Sequence, residues 1–217
     1  MGSVMGRVIG SVDVTDYEKI GYTDGLSAGL TMVLADLDDA DLAATAPGGF
    51  AAVPAQRVDD GATVVEHRMA TSEGVAILDV RLPSGLVSMR HAGDRAGVVG
   101  LRLAAVRIGL TRKLLDQAVE HLTGRIGGGE PLIRKQLNLG AIADTLAALE
   151  LLRRYLETAA RRPSRESIVD IHDRISRLDW EVAKLFGASG YLADHPVRAL
   201  FVAELVANTW VGAGDGP

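Results

Sequence analysis

Residues 95–124, RAGVVGLRLAAVRIGLTRKLLDQAVEHLTG, decide how the rest of the chain is read. Leu101, Ala104, Ala105, Ile108, Leu115, Ala118, Val119 and Leu122 recur at the three- and four-residue spacing of one helical face. One long helix is therefore expected from about 95 to 124. The glycine-rich stretch 124–129 stops it. Pro131 then suits the first turn of a second helix, expected to run to about Arg161 with Leu132, Leu139, Ile142, Leu146, Leu149 and Leu152 inward. Pro163 and Ser164 open a third, with Ile168, Ile171, Ile175, Leu178 and Val182 inward, and it ends at Gly187 to Gly190. A fourth begins near Pro196 and fades at Gly212. Four antiparallel helices of this length make an up-down four-helix bundle, assigned to residues 94–213.

Toward the N-terminus the period changes. GGFAAVPAQRV, ATVVEHRMA, VAILDVRL and LVSMRH are apolar runs separated by Asp59-Asp60-Gly61, Ser72-Glu73-Gly74 and Pro83-Ser84-Gly85, a pattern that reads as a β-meander. Before it, Leu26 to Leu37 reads equally as a short helix capped at Thr23-Asp24 or as a strand. Residues 1–93 thus form a β-rich segment, and the fold class is α+β, mainly α. The fourth helix is apolar nearly all round, with Glu204 as its one formal charge between Ala199 and Gly214. Its extra cover is expected from another subunit; the competing arrangement folds the β-segment back over it.

Composition narrows the chemistry. A chain of 217 residues, 47% hydrophobic and 24% charged, buries a core and holds one or two domains. The absence of cysteine excludes disulfides, thiolate metal sites and a cysteine nucleophile, and it suits a cytoplasmic setting. The five histidines, at 67, 91, 121, 172 and 195, never fall three or four residues apart, so no metal site is expected. No run of about 18 apolar residues marks a membrane span, and MGSVMGRVIG does not read as a signal peptide. A net charge of −5 with no basic tail argues against nucleic acid. Residues 100–165 nevertheless carry twelve bases against six acids, which serve either phosphate contacts or solvated helix faces. His172, beside Asp170 and Asp173, reads as part of an exposed polar face. Gly124, Gly127, Gly128 and Gly129 read either as a phosphate-cradling turn or as a plain helix connection.

HLTGRIGGGEPLIRKQLNLGAIAD, with Arg125, Gly129 and Gln136, resembles the arginine-centred stretch and following glutamine of the acyl-CoA dehydrogenases. KLFGASGYLADHPV, with Gly187, Gly190, Tyr191 and Pro196, resembles that family's glycine-rich helix end. GGFAAVPA is similar to a strand of its middle β-domain. The resemblance implies a fold, α,β-desaturation of acyl thioesters, a glutamate base and FAD. It implies cofactor-binding roles for Arg125, Gln136, Gly187 and Gly190, with Arg125 reaching the FAD diphosphate of a neighbouring subunit. The two positions where the family carries its glutamate fall on Val211 and near Val99, and neither side chain takes a proton. The expected protein is a shortened acyl-CoA dehydrogenase-like subunit, a homo-oligomer or the companion of a fuller chain. The alternative is a flavin-free enzyme or binding protein that processes an acyl or polyketide-like substrate on the same scaffold.

Overall fold

The computed structural model describes residues 14–81, 89–192 and 194–212. Its axis is a 36-residue helix, α5 (Met89–Gly124), about 54 Å long at the normal helical rise. Against it lie α6 (Gln136–Arg161), α7 (Arg165–Leu185) and α8 (Arg198–Val211), the four helices that the periodicity implies. Leu101, Leu115, Ile171, Ile175, Leu156 and Leu200 fill the space between them. Ser164 Oγ accepts from the Ser167 backbone N–H and caps α7, as its placement after Pro163 anticipates.

The junction between α5 and α6 departs from expectation. Pro131 does not open the helix. It lies in a two-stranded hairpin, β4 (Ile126–Gly127) against β5 (Glu130–Pro131), followed by a single 3₁₀ turn over Leu132–Arg134. Gly128 and Gly129 form the turn with φ of 65° and 86°, a left-handed pair that side chains with a Cβ resist. The glycines therefore make a tight, defined connection.

Before the bundle, the described part of the segment is helical first and β second. Helices α1 (Val14–Thr23), α2 (Leu26–Val33) and α3 (Asp39–Thr45) come ahead of any strand, and α2 resolves the helix-or-strand ambiguity at Leu26. Helix α1 lies on α5 at backbone contact: a Cβ on Gly109 would overlap the carbonyl oxygen of Glu18, and one on Gly21 would overlap that of Val106. The sheet is three-stranded, with β1 (Phe50–Pro54) and β2 (Val64–Val65) each antiparallel to a central β3 (Val75–Asp79). Its order, β1-β3-β2, is not that of a meander. The second apolar run supplies only two strand residues because Val64 and Val65 are both exposed and offer no buried face. His67 Nδ1 then accepts from Ala70 N and starts the short helix α4 (Arg68–Ser72). The fourth run falls partly outside the described residues, and Met89 to His91 at its end already belong to α5.

Strand β1 covers α8. Trp210 Nε1 donates to the Ala52 carbonyl at 2.9 Å, and Ala52 N donates to Thr209 Oγ1 at 3.3 Å. The β-segment thus folds back over the apolar helix within one chain. Among the described residues no helix is long and apolar enough to cross a membrane.

Gly109→Ala tests the α1–α5 contact. In an exposed helix that change stabilises by up to about 1 kcal/mol; here overpacking reverses the sign, with an expected loss of about 1–3 kcal/mol in urea unfolding.

Candidate functional site

Residues of interest gather at the two ends of α5. At its C-terminal end, Leu132 N donates to the Arg125 carbonyl at 2.8 Å. The Leu132 carbonyl in turn accepts from Lys135 N at 3.1 Å and from Asn138 Nδ2 at 2.7 Å. These bonds tie the hairpin to the first turn of α6, so Arg125 and Gln136 lie at the same end of the bundle. Both side chains are exposed and make no hydrogen bond or ion pair with the described residues. Lys135, by contrast, is occupied by Glu130 at 2.6 Å, and it leaves the N-terminus of α6 without a side-chain cap. Apolar neighbours Ile126 and Leu137 are exposed beside them, Leu137 at 88%. At the same end, Phe186 packs between His121 and His195, with ring centroids 5.4 and 4.7 Å away. Burial, and after it the proximity of His121, lowers the pKa of His195. Gly187 and Gly190 have conformational tasks here. Gly187, at φ 60°, ends α7, and a Cβ on buried Gly190 would lie 2.8 Å from the Ala183 carbonyl oxygen.

Toward the other end, Val99 is buried in α5 and Val211 closes α8. They belong to one junction: a Cβ on Gly100, next to Val99, would lie 3.4 Å from Val211 Cγ2 and 2.7 Å from Ile168 Cγ2. The spot is apolar on three helices. Two turns along α5 lies Arg107, 1% exposed, whose partners all come from α7 and its own helix. Its Nη2 donates to Asp179 Oδ2 at 3.0 Å and to Ser176 Oγ at 2.9 Å. Thr111 Oγ1 donates to the other Asp179 oxygen at 2.6 Å. Arg107 Nη1 donates to His172 Nδ1 at 3.0 Å, which requires that nitrogen to carry a lone pair. The ring proton is therefore on Nε2, which donates to the Gly100 carbonyl at 3.0 Å. Burial and, second, the Arg107 charge push the His172 pKa down to about 3. Burial raises that of Asp179 against the opposing pull of Arg107 and Thr111. A cavity of about 30 Å³ adjoins the network, with Glu204 and Val211 in its wall, and has room for a water molecule.

A family model for the acyl-CoA dehydrogenase C-terminal domain matches residues 99–215. The chain belongs to this family. Cyclohexane-1-carbonyl-CoA dehydrogenase of Geobacter metallireducens is 24% identical over 156 residues, covering 63% of this chain and 40% of that protein. The solved butyryl-CoA dehydrogenase of Megasphaera elsdenii has the same fold at a TM-score of 0.56 and 19% identity, over 76% of this chain and 45% of that one. An acyl-CoA dehydrogenase from Geobacillus kaustophilus also superposes with a TM-score of 0.56, at 14% identity, over 77% and 46% of the two chains. The chain thus spans less than half the length of each of these relatives.

The buried network is what sequence reading of this family member misses. His172 is not on an exposed face; it is 95% enclosed, on the α7 stripe shared with Ile168, Ile171, Ile175, Asp179 and Val182. That stripe was the available signal, because a polar residue three or four positions from buried isoleucines faces inward with them. Arg107 gives the matching signal inside LAAVRIGL, residues 103–110, where every other residue is apolar or glycine.

Two measurements check the network. Asp179→Ala leaves a buried guanidinium uncompensated and is expected to cost about 3–5 kcal/mol in denaturant unfolding. His172 stays neutral when folded but protonates when unfolded below pH 6.5, so acid binds protons preferentially to the unfolded chain. Stability is expected to fall as pH drops from about 6.5 toward 3, and the difference between wild type and His172→Gln is expected to show that window.

Proposed function

We propose that the chain is a nucleotide-contacting subunit of a composite acyl-CoA dehydrogenase, acting on acyl thioesters beside a fuller chain. The observation that carries this reading is the pairing of free Arg125 and Gln136 on an exposed end with valine at both glutamate positions. Positions for holding the cofactor are represented, and a proton acceptor at the glutamate positions is not. The names of the relatives, which act on cyclohexane-1-carbonyl-CoA and butyryl-CoA, support the substrate class.

The residues present fit the diphosphate portion of FAD. A guanidinium forks onto two phosphate oxygens, and Arg125 has no partner among the described residues to give up. Gln136 begins a 26-residue helix whose first N–H groups lack a side-chain acceptor, and such a helix end favours an anion. When bound, FAD supplies the hydride acceptor for desaturation. Arg125 and Gln136 bind and orient at one end of α5, and the Val99–Val211 junction at the other offers no base. The α-proton must then pass to a carboxylate of the companion chain.

Three results are expected. The isolated chain shows no dye reduction with any acyl-CoA, since loss of a general base costs on the order of 10²–10⁴-fold. Co-expressed with a fuller acyl-CoA dehydrogenase-like chain of the same organism, it yields a complex with flavin absorbance. Arg125→Ala leaves the complex assembled but weakens flavin binding by about 1.5–3 kcal/mol. A colourless complex favours the flavin-free alternative, and turnover by the isolated chain overturns the reading.

A further inference from the structure

The Arg107 network has hydrogen-bonding capacity left over on the side of α8. Arg107 spends both terminal nitrogens on α7, but its Nε–H is buried and meets no acceptor among the described residues. Buried donors in folded proteins are almost always met, by protein or by water. Ser176 Oγ accepts from Arg107 Nη2 at 2.9 Å, which leaves its own hydroxyl proton to donate. Arg107 and Ser176 both line the cavity of about 30 Å³.

The α8 side of that cavity supplies acceptors. Glu204 is half-buried and makes no hydrogen bond or ion pair with the described residues. Its charge is near enough to Asp179 to help raise the pKa there. Asn208, one turn further along α8, adds an amide carbonyl, and because it is exposed the cavity is open to solvent on that side.

Size and charge together select the occupant. About 30 Å³ holds one or two water molecules. An anion would meet the Glu204 carboxylate, and a cation would meet the Arg107 guanidinium. The walls therefore call for a small neutral molecule that accepts on one side and donates on the other. Water does both, and a buried water makes about three such bonds.

We infer that a structural water binds where α5, α7 and α8 meet, accepting from Arg107 Nε–H and Ser176 Oγ–H and donating to the Glu204 carboxylate and the Asn208 side-chain carbonyl. It gives Arg107 a second carboxylate at one remove and ties α8 into a network whose direct bonds join α5 to α7. Because Val211 shares the cavity wall, the water also sets the polar limit of the apolar junction. The inference concerns this chain alone and is independent of flavin, acyl thioester and companion chain.

The test combines crystal structures of the whole chain, native and with Glu204→Gln or Glu204→Leu, with NMR of the same proteins labelled with nitrogen-15. The native crystal is expected to show an ordered water within about 3.2 Å of both Arg107 Nε and a Glu204 oxygen. In solution the Arg107 Nε–H is expected to give a cross-peak to water whose sign opposes that of the rotating-frame peak, the mark of a bound water and not of proton exchange. Glu204→Gln keeps an acceptor and is expected to keep both signals; Glu204→Leu is expected to lose both. A native site that is dry, that holds an ion, or in which Glu204 bonds Arg107 Nε directly overturns the inference. So does a water that stays in place in Glu204→Leu, or one that leaves in Glu204→Gln. Should Glu204→Leu fail to fold, the native and Glu204→Gln results decide the matter.

Discussion

One guanidinium sets the register of the bundle. Arg107 projects from α5 into a space closed by α7, and Asp179, Ser176 and His172 use its donors at 2.9–3.0 Å. A buried ion pair adds little net stability compared with apolar packing, but it tolerates very little displacement, because a slip of one residue would strand a charge in a low-dielectric interior. His172 relays that constraint to the Gly100 carbonyl, and Gly100 is where Ile168 and Val211 meet α5. The relative height of α5 and α7 is therefore fixed by polar contacts, and the leucines and isoleucines fill the space so defined.

On its opposite side α5 is held by steric fit. Gly21 and Gly109 let α1 approach until main chain touches main chain, and Gly29 of α2 leaves room for the Val106 side chain. The long helix is thus gripped by a polar network on one flank and by close backbone packing on the other. Strand β1 completes the enclosure by taking the indole proton of Trp210, which gives α8 cover that its composition suggested would come from outside the chain. What a helix needs buried and which molecule buries it are separate questions, and only the first is written in its own residues.

The bundle was legible because Leu101, Ile108 and Leu115, or Ile168, Ile171 and Ile175, keep one period over several turns. The N-terminal third was less so. Its helices are short, α1 has ten residues and α2 eight, and a window that narrow contains too few turns to separate a helical period from a strand. Val64 and Val65 read as strand interior on composition, yet their strand has no second layer to bury them. At the candidate site, the motif letters located Arg125 and Gln136, and the glycine pair Gly128-Gly129 marked the turn that presents them. The exposure and isolation of those side chains were not legible, since both depend on what the neighbouring elements leave uncovered. Arg107 and His172 are legible only by helical position, because the net charge of a segment does not say which of its charges face inward.

The length of α5 has a geometric consequence. Val99 and Gly124 are separated by about 37 Å of uninterrupted helix, a rod that bends little. That is farther than one dinucleotide extends, so the hairpin with Arg125 and the junction at Val211 cannot address the same bound molecule from within one copy. In the composite enzyme proposed here, each copy would therefore straddle two reaction centres, lending a cation to one and a closed apolar wall to the other. The number of complete centres in the assembly then follows the pairing of chains, and a chain with no base of its own still counts toward two of them.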